Sequence, residues 1–541
     1  MNFQIQGNPE ISNFINSIPY LVYNRNSSQT IFDDKTTDFT VDNDTYFFCN
    51  ATGVITVTLP NPNLNRNRNL FFINRTDNQV NSDSNITTIY GGAITTTTVL
   101  LEGLKGYWVQ LVSDGTNWIL VSKKIETSAS AFTFAVNTAN TVGSVSNSNQ
   151  FQLPLVSDGS YSFVADWGDG SASYISAYDQ PETTHTYSFP GIYTIQIKKK
   201  CYGFRFNNGG DKTKITNISK WGDIFKFGGT STDNNYFYGC SNLNVTATDA
   251  PNLTGVSSLQ GIFRDCISLN SNLSSWDVSN VTDMSHMFHG AVAFNNGQLP
   301  VTLTYSSPIN ATYTAATTTL VVAGASFTTQ LAPGDIVLIQ VVYVFGTTFP
   351  AYTSIVQSVT DNTTVVLQVP VGAINLTAAQ ILSVTKVLPG ASPLTWDTGK
   401  VQDMSYMFNF AYYFNQAVAW NTGACTTMTY MFSNDASFNH PSVSNWNTSN
   451  VTAMDYLFYG NSLFNQPLSS WVTSKVTIAQ SMFEYDHLFN QNLSSWDVSN
   501  MIDMSKMFRR CYAFNNAGVS IAGWSAPKCT SFFQMFYFAN V

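Results

Sequence analysis

This chain is poor in charge. Only 11% of its 541 residues are Asp, Glu, Lys or Arg, with a formal net charge of −9. Solubility therefore falls to uncharged Asn, Ser and Thr. Without basic runs the chain is unsuited to tracking a phosphate backbone, so no nucleic-acid partner is expected. Seven cysteines are too few for a disulfide scaffold. No stretch reaches the roughly 18 apolar residues of a membrane span, and none is expected. Met1-Asn2-Phe3-Gln4-Ile5-Gln6 has neither a basic region nor an apolar run, so no secretory signal is expected. A surface protein of this kind would arrive by another route, such as incorporation into a virion. Phosphate loops, zinc spacings and nucleophile elbows are missing too, so neither a cofactor nor an enzyme is expected. His286 and His289 share a helical spacing without a matching carboxylate or cysteine, which suggests solvent exposure.

What the chain does have is a motif of about 25 residues that recurs down its C-terminal half. Tryptophans fall at Trp276, then at Trp396, Trp420, Trp446, Trp471, Trp496 and Trp524. Phenylalanines fall in phase at Phe288, Phe408, Phe432, Phe458, Phe483, Phe508 and Phe536. A fixed period of this length marks a solenoid, whose units bury their apolar faces only against neighbours. These rings are expected to form the structural core. Met504, Met507 and Phe508, at i, i+3 and i+4, suggest one face of a short helical turn. Asn415, Asn439, Asn465, Asn490 and Asn515 follow the second repeat Phe and suit satisfaction of neighbouring backbone groups.

The fullest copy of the repeat, from Phe489-Asn490-Gln491-Asn492-Leu493 through Trp496-Asp497-Val498-Ser499-Asn500 to Met504, Met507 and Phe508, resembles the BspA-like family of leucine-rich-repeat surface proteins. Upstream, Asp166-Trp167-Gly168-Asp169-Gly170 is followed by His185-Thr186-Tyr187-Ser188-Phe189-Pro190-Gly191-Ile192-Tyr193. That pair resembles the polycystic-kidney-disease-type (PKD) sandwich, an interaction or spacer module. In the N-terminal part, Leu59-Pro60 and the terminal Ser113-Asp114-Gly115-Thr116-Asn117-Trp118 resemble β modules of phage and large-virus tail or fibre proteins.

The expected fold is therefore multi-domain and mainly β. An N-terminal arm (1–27) precedes a β-rich fibre-like domain (28–124) and a PKD-like β-sandwich (125–200). A leucine-rich-repeat-like solenoid of short strands and short helical turns occupies 212–297 and 394–541. Between its parts, β-branched runs such as Thr318-Thr319-Leu320-Val321-Val322 and Ile336-Val337-Leu338-Ile339 point to an inserted small β-barrel or sandwich at 298–393.

Several residues admit a chemical reading beside a structural one. Asp166 and Asp169 suit a Ca²⁺ site or a hairpin turn. Asp277, Asp397 and Asp497, with Asp283, Asp403 and Asp503, suit a calcium or sugar ladder, or turn and cap chemistry. Cys240 and Cys266 fall one above the other as small core residues or as a disulfide, which needs Cα atoms within about 7 Å. The resemblances imply a non-enzymatic, surface-displayed or virion fibre-like protein for adhesion or host recognition, located at a virion surface or a cell surface. Its partners would be a host-cell glycan or protein, or other virion or surface proteins, with self-association through the N-terminal domain. The alternatives are an architectural virion component and a glycan-cleaving tailspike-like enzyme. The enzyme would need two carboxylates about 5–9.5 Å apart beside a sugar groove.

Overall fold

The structure, a computed structural model, describes residues 33–41, 46–49, 55–74, 80–90, 93–101, 108–124, 131–223, 225–227, 234–298, 301–303, 311–314, 318–333, 335–342, 348–368, 381–387 and 393–539. The arm at 1–27 lies outside them. The protein is mainly β with very little helix, and it divides into two compact units, Met1–Thr127 and Ser128–Val541.

In the first unit the chain alternates between two parallel ladders. Asp33–Lys35, Tyr46–Cys49 and Asn69–Asn74 pair parallel in that order. Phe39–Thr40, Ile55–Thr58 and Val80–Tyr90 do the same. The hairpin Trp108–Ser113/Trp118–Lys124 joins them, antiparallel to Asn69–Asn74 and parallel to Val80–Tyr90. Asp114 closes the hairpin by accepting from the Thr116 and Asn117 amides, both at 2.7 Å. Val57, Leu70, Phe72, Val109 and Leu111 are fully buried, and the Trp118 indole donates to the Pro60 carbonyl at 2.8 Å.

The second unit starts with a six-stranded sheet in the order Ala172–Ile175, Leu155–Asp166, Ile192–Phe204, Phe132–Asn137, Ile215–Lys220, Asn244–Val245. A two-stranded sheet, Gln150–Gln152 with Thr184–Thr186, contributes Phe151 to the same core. The stretch 125–145 supplies Phe132–Asn137 to the middle of this sheet. The expected border between sandwich and repeats is a shared strand. Ile215–Lys220 pairs antiparallel with Phe132–Asn137 and parallel with Asn244–Val245. One hydrophobic cluster then runs without a break from Phe132 to Met535. An end unit of a repeat stack must be shielded from water, and the sheet does this.

Successive repeats are joined by single parallel bridges, from Ser258 to Asp283, Asp403, Thr427, Ala453, Ile478, Asp503 and Ser531 in turn. The expected helical turns are not formed here. After each bridge comes a turn in which alternate amides point in different directions. In one unit the Met404, Tyr406, Phe408 and Phe410 amides donate to Thr427, Thr429, Met431 and Ser433 of the next unit. The intervening Met407, Asn409 and Ala411 amides donate three residues back. A helix would send all of them along its own axis and leave adjacent units unbonded. Flipping alternate peptides requires left-handed residues, and Tyr406 (φ 58) and Phe410 (φ 61) are such residues.

The 298–393 insert is a seven-stranded sheet in the order Val301–Thr302, Ile381–Val387, Ile336–Val342, Thr348–Val359, Thr364–Leu367, Thr319–Val322, Ala311–Thr314. Among the described residues this path stays open, a half-barrel where a small barrel or sandwich was expected. The insert has its own core, including Tyr313, Leu320, Phe327 and Val337. It meets the repeats through a small patch in which Val387 and Ile336 pack with Val292, Tyr412 and Tyr413. The stack is continuous across it: Phe288 lies 5.6 Å from Phe408, ring to ring. Deleting 298–393 would put Asn295 five residues before Trp396, the spacing of Asn415 and Trp420. The deletion variant is expected to keep the cooperative melt of the stack in circular dichroism. Loss of that transition would show that the insert belongs to the stack's core.

Candidate functional site

The Trp-Gly-Asp-Gly region is a hairpin held by its own side chains. Asp166 pairs with Lys198 at 2.9 Å and accepts from the Gly168 amide at 3.2 Å. Asp169 contacts the His185 imidazole at 2.8 Å and accepts from the Ser171 amide and hydroxyl at 2.9 and 2.6 Å. Burial pushes the Asp169 carboxyl up, but the bonds from His185 and Ser171 outweigh it and hold the group well below the usual carboxylate range. The His185 ring stacks on Trp167 at 4.7 Å. Lys198 and His185 thus stand where a calcium ion would need room. Among the described residues no three His, Cys, Asp or Glu side chains are grouped to hold a metal ion.

The repeat rings form columns. Trp276, Phe288, Trp396, Phe408, Trp420, Phe432, Trp446, Phe458, Trp471, Phe483, Trp496 and Phe508 are buried, and Trp524 and Phe536 are partly buried against the same core. Phe408 and Phe432 stack at 5.5 Å, and Trp420 and Trp446 at 6.3 Å. From Trp396 to Trp524 each repeat indole N–H also has an acceptor. Trp420 donates to Leu394 O, Trp446 to Val418 O and Trp471 to Val443 O, at 2.8, 2.8 and 2.9 Å. Trp396 reaches Leu273 O at 2.9 Å across the insert. The asparagines form a ladder of their own. The Asn439, Asn465 and Asn490 amides donate to the side-chain oxygens of Asn415, Asn439 and Asn465, at 3.0, 2.9 and 2.9 Å.

The repeat carboxylates are engaged in local turns. Asp277, Asp397 and Asp497 each accept from the amide two residues on, at 3.1, 3.1 and 2.9 Å. Asn421 and Asn447 do the same in their units. Asp283, Asp403 and Asp503 accept from Ser285, Ser405 and Ser505 at 2.9, 2.8 and 2.7 Å. Cys240 and Cys266 are free and fully buried, and the Cys266 thiol donates to Phe237 O at 3.1 Å.

One column carries buried acids that the sequence did not single out. Asp435 and Asp486 are fully buried, with Asn461 between them in register. Burial raises both carboxyls well above their ordinary range. The Ser437 and Phe438 amides pull Asp435 the other way, yet neither carboxylate oxygen of either residue makes a well-formed hydrogen bond. The folded state therefore binds protons that the unfolded state releases, and these acids weaken the fold as pH rises from about 4. Asp435→Asn and Asp486→Asn, which copy Asn461, are each expected to raise stability at pH 8 by about 1 kcal/mol or more and to flatten its fall with pH. Thermal melts of the two variants from pH 4 to 8 check this; lower stability at pH 8 would contradict it.

A groove of about 420 Å³ crosses the outer face of four units. Tyr406, Tyr430 and Tyr456 form one wall, with rings stacked at 4.6 and 4.3 Å and nearly parallel. Phe410 and Asn434 form the other wall, Asn409 and Ser433 lie between, and His289 and Tyr459 complete the lining. All three tyrosines, Phe410 and Asn434 are left-handed. His286 extends the tyrosine column at 4.5 Å from Tyr406. Both histidines are half-buried, and the Nδ1 atom of each is buried without a hydrogen-bond partner, whereas solvent exposure was expected. Burial, then Arg264 and His286, push His289 down to about 4, so it is neutral at pH 7. Phe410 touches Tyr412 at 6.0 Å, and Tyr412 packs on the patch that meets the insert. Tyr406, Tyr430 and Tyr456 recur at the repeat spacing but were not singled out from the sequence; the left-handed turn brings them to one surface.

Fold and groove together define a mainly β, repeat-containing protein. A family model described as "Mycoplasma protein of unknown function, DUF285" matches residues 230–303, 386–486 and 468–541. The repeats are similar to that family, and the matches leave out most of the insert. No curated protein and no solved structure matches the chain.

Proposed function

We propose that this chain is a non-enzymatic recognition or fibre protein displayed on a virion or cell surface, which adheres to a host-surface glycan or protein through its repeats. In this reading the stack is a leucine-rich-repeat-like solenoid, the sheet module before it is PKD-like, and the N-terminal unit is a fibre-like module. The observation that carries it is the groove on the flank beside the insert. It is aromatic, amide-bearing and uncharged, and none of the residues lining it is a carboxylate. That favours binding over glycoside cleavage, which needs a carboxylate pair at the sugar. Among the described residues no helix is long and apolar enough to cross a membrane. Many displayed copies would let weak contacts suffice. The test is adsorption of the full chain, displayed multivalently on beads, to candidate host cells. Adsorption is expected; adsorption reproduced by residues 1–127 alone, or turnover of an oligosaccharide by the purified chain, would overturn the reading.

A further inference from the structure

The groove exists because neighbouring units depart from one another in a coordinated way. Tyrosine occupies the first left-handed position in three consecutive units, at Tyr406, Tyr430 and Tyr456, and is replaced by Ser481 and Lys506 in the next two. Three residues further on, two successive units carry the buried Asn409 and Ser433, where flanking units carry His289, Tyr459, Glu484 and Arg509. Small polar residues thus leave a trough, with larger side chains at either end. The next two units lose it to charge, as Arg509 pairs with Glu484 at 2.5 Å.

The lining has one chemical character. The stacked tyrosines cover one another's faces, so a ligand meets ring edges, which carry the positive part of the aromatic quadrupole. Asn409 donates to Ser433 O at 2.9 Å, and Asn434 to Ser433 Oγ at 3.0 Å, which fixes these amides in place. His289 adds an imidazole ring to the lining. Positive ring edges, hydroxyls and amides suit an oxygen-rich ligand, and the absence of a charged group from the lining removes any preference for an ionic one. The volume is within the range of ligand sites, roughly 300–1,000 Å³.

We infer that this groove binds a neutral oligosaccharide between the tyrosine column and the Phe410–Asn434 wall. The inference rests on the recognition reading above and names the ligand class of that site. The stack itself supplies replacements that suit the backbone. Tyr430→Ser copies Ser481 (φ 52), and Phe410→Gly copies Gly460 (φ 69) at the equivalent position.

The experiment is binding of the full chain, displayed multivalently, to an array of neutral oligosaccharides, sialylated and sulfated oligosaccharides, and peptides. Signal on neutral oligosaccharides is expected, with Tyr430→Ser and Phe410→Gly each weakening it about tenfold while each variant keeps a cooperative thermal melt. Signal confined to acidic glycans or peptides, no signal on any neutral oligosaccharide, or neutral-glycan signal that survives both variants overturns the inference. Cell adsorption separates the two ideas. Wild-type adsorption that neither variant weakens overturns the groove and leaves recognition standing. Neutral-glycan binding without cell adsorption supports the groove and overturns the recognition reading.

Discussion

Trp446→Ala is expected to cost about 3–5 kcal/mol in chemical denaturation, the range of buried aromatic truncations. Trp446 is only 3% exposed and stacks between Trp420 and Trp471 at 6.3 and 6.2 Å. Its indole donates to Val418 O at 2.8 Å. The substitution removes both ring contacts, opens a cavity and leaves Val418 O with the Trp420 amide alone as donor. Units on either side cannot close the gap, because their spacing is held by bridges such as Thr427 to Ala453 and by the asparagine ladder. Trp446→Phe keeps an aromatic ring in the column and loses mainly the hydrogen bond, so about 1 kcal/mol or somewhat more is expected. A loss below about 1 kcal/mol for the alanine variant would show that this column does not hold the stack together.

Lys214→Met is expected to destabilise the second unit by about 3–5 kcal/mol, the cost of breaking a buried ion pair from one side. Lys214 and Asp211 are both fully buried. The ammonium donates to the Ser146, Asn147 and Gln150 carbonyls at 3.1, 2.7 and 2.9 Å and to Ser146 Oγ at 2.7 Å. Asp211 accepts from the Val145, Ser146 and Gln152 amides at 3.1, 3.0 and 2.8 Å and from Ser146 Oγ at 2.5 Å. The two charges lie 3.9 Å apart. Together they tie the 145–152 loop to the strand that continues into the repeats. Methionine fills the space but withdraws the ammonium from the Ser146, Asn147 and Gln150 carbonyls and leaves the carboxylate without its counter-charge. Double replacement by Asp211→Asn and Lys214→Met should be less damaging than the sum of the single changes, because each removes the other's uncompensated partner. Urea denaturation of the three variants gives the coupling, and strict additivity would show that the pair is not an interacting unit.

The repeat period was legible because every unit must supply the same rings to one continuous core. A ring at a fixed interval, such as Phe408, Phe432 and Phe458, has no local reason to recur and a strong tertiary one. The turn that carries the period was less legible. Met504, Met507 and Phe508 have helical spacing, yet alternate amides are needed by the neighbouring unit, and that demand overrides the local preference. Most of the left-handed residues in the repeat turns, such as Tyr406, Phe410, Asn434 and Lys506, are not Gly. Composition therefore gave no sign of a conformation that usually costs such residues about 1–2 kcal/mol. In the N-terminal unit, short β-branched runs identified strands, but their alternation between two parallel ladders depends on partners far apart in sequence.

What the sequence by itself determined is the β character, the repeat spacing and the ring columns, because all three follow from patterns within one unit or between identical units. Tertiary structure alone decided three things. It merged the sheet module with the repeats through Ile215–Lys220, since an end unit needs a cover and any strand with free edges can provide it. It placed Asp435 and Asp486 in a buried column, where the neighbouring units rather than their own sequence set the solvent exposure. It also built the groove, because a trough across successive units is a relation between columns: Tyr406, Tyr430 and Tyr456 form a wall only when Asn409 and Ser433 leave the space beside them.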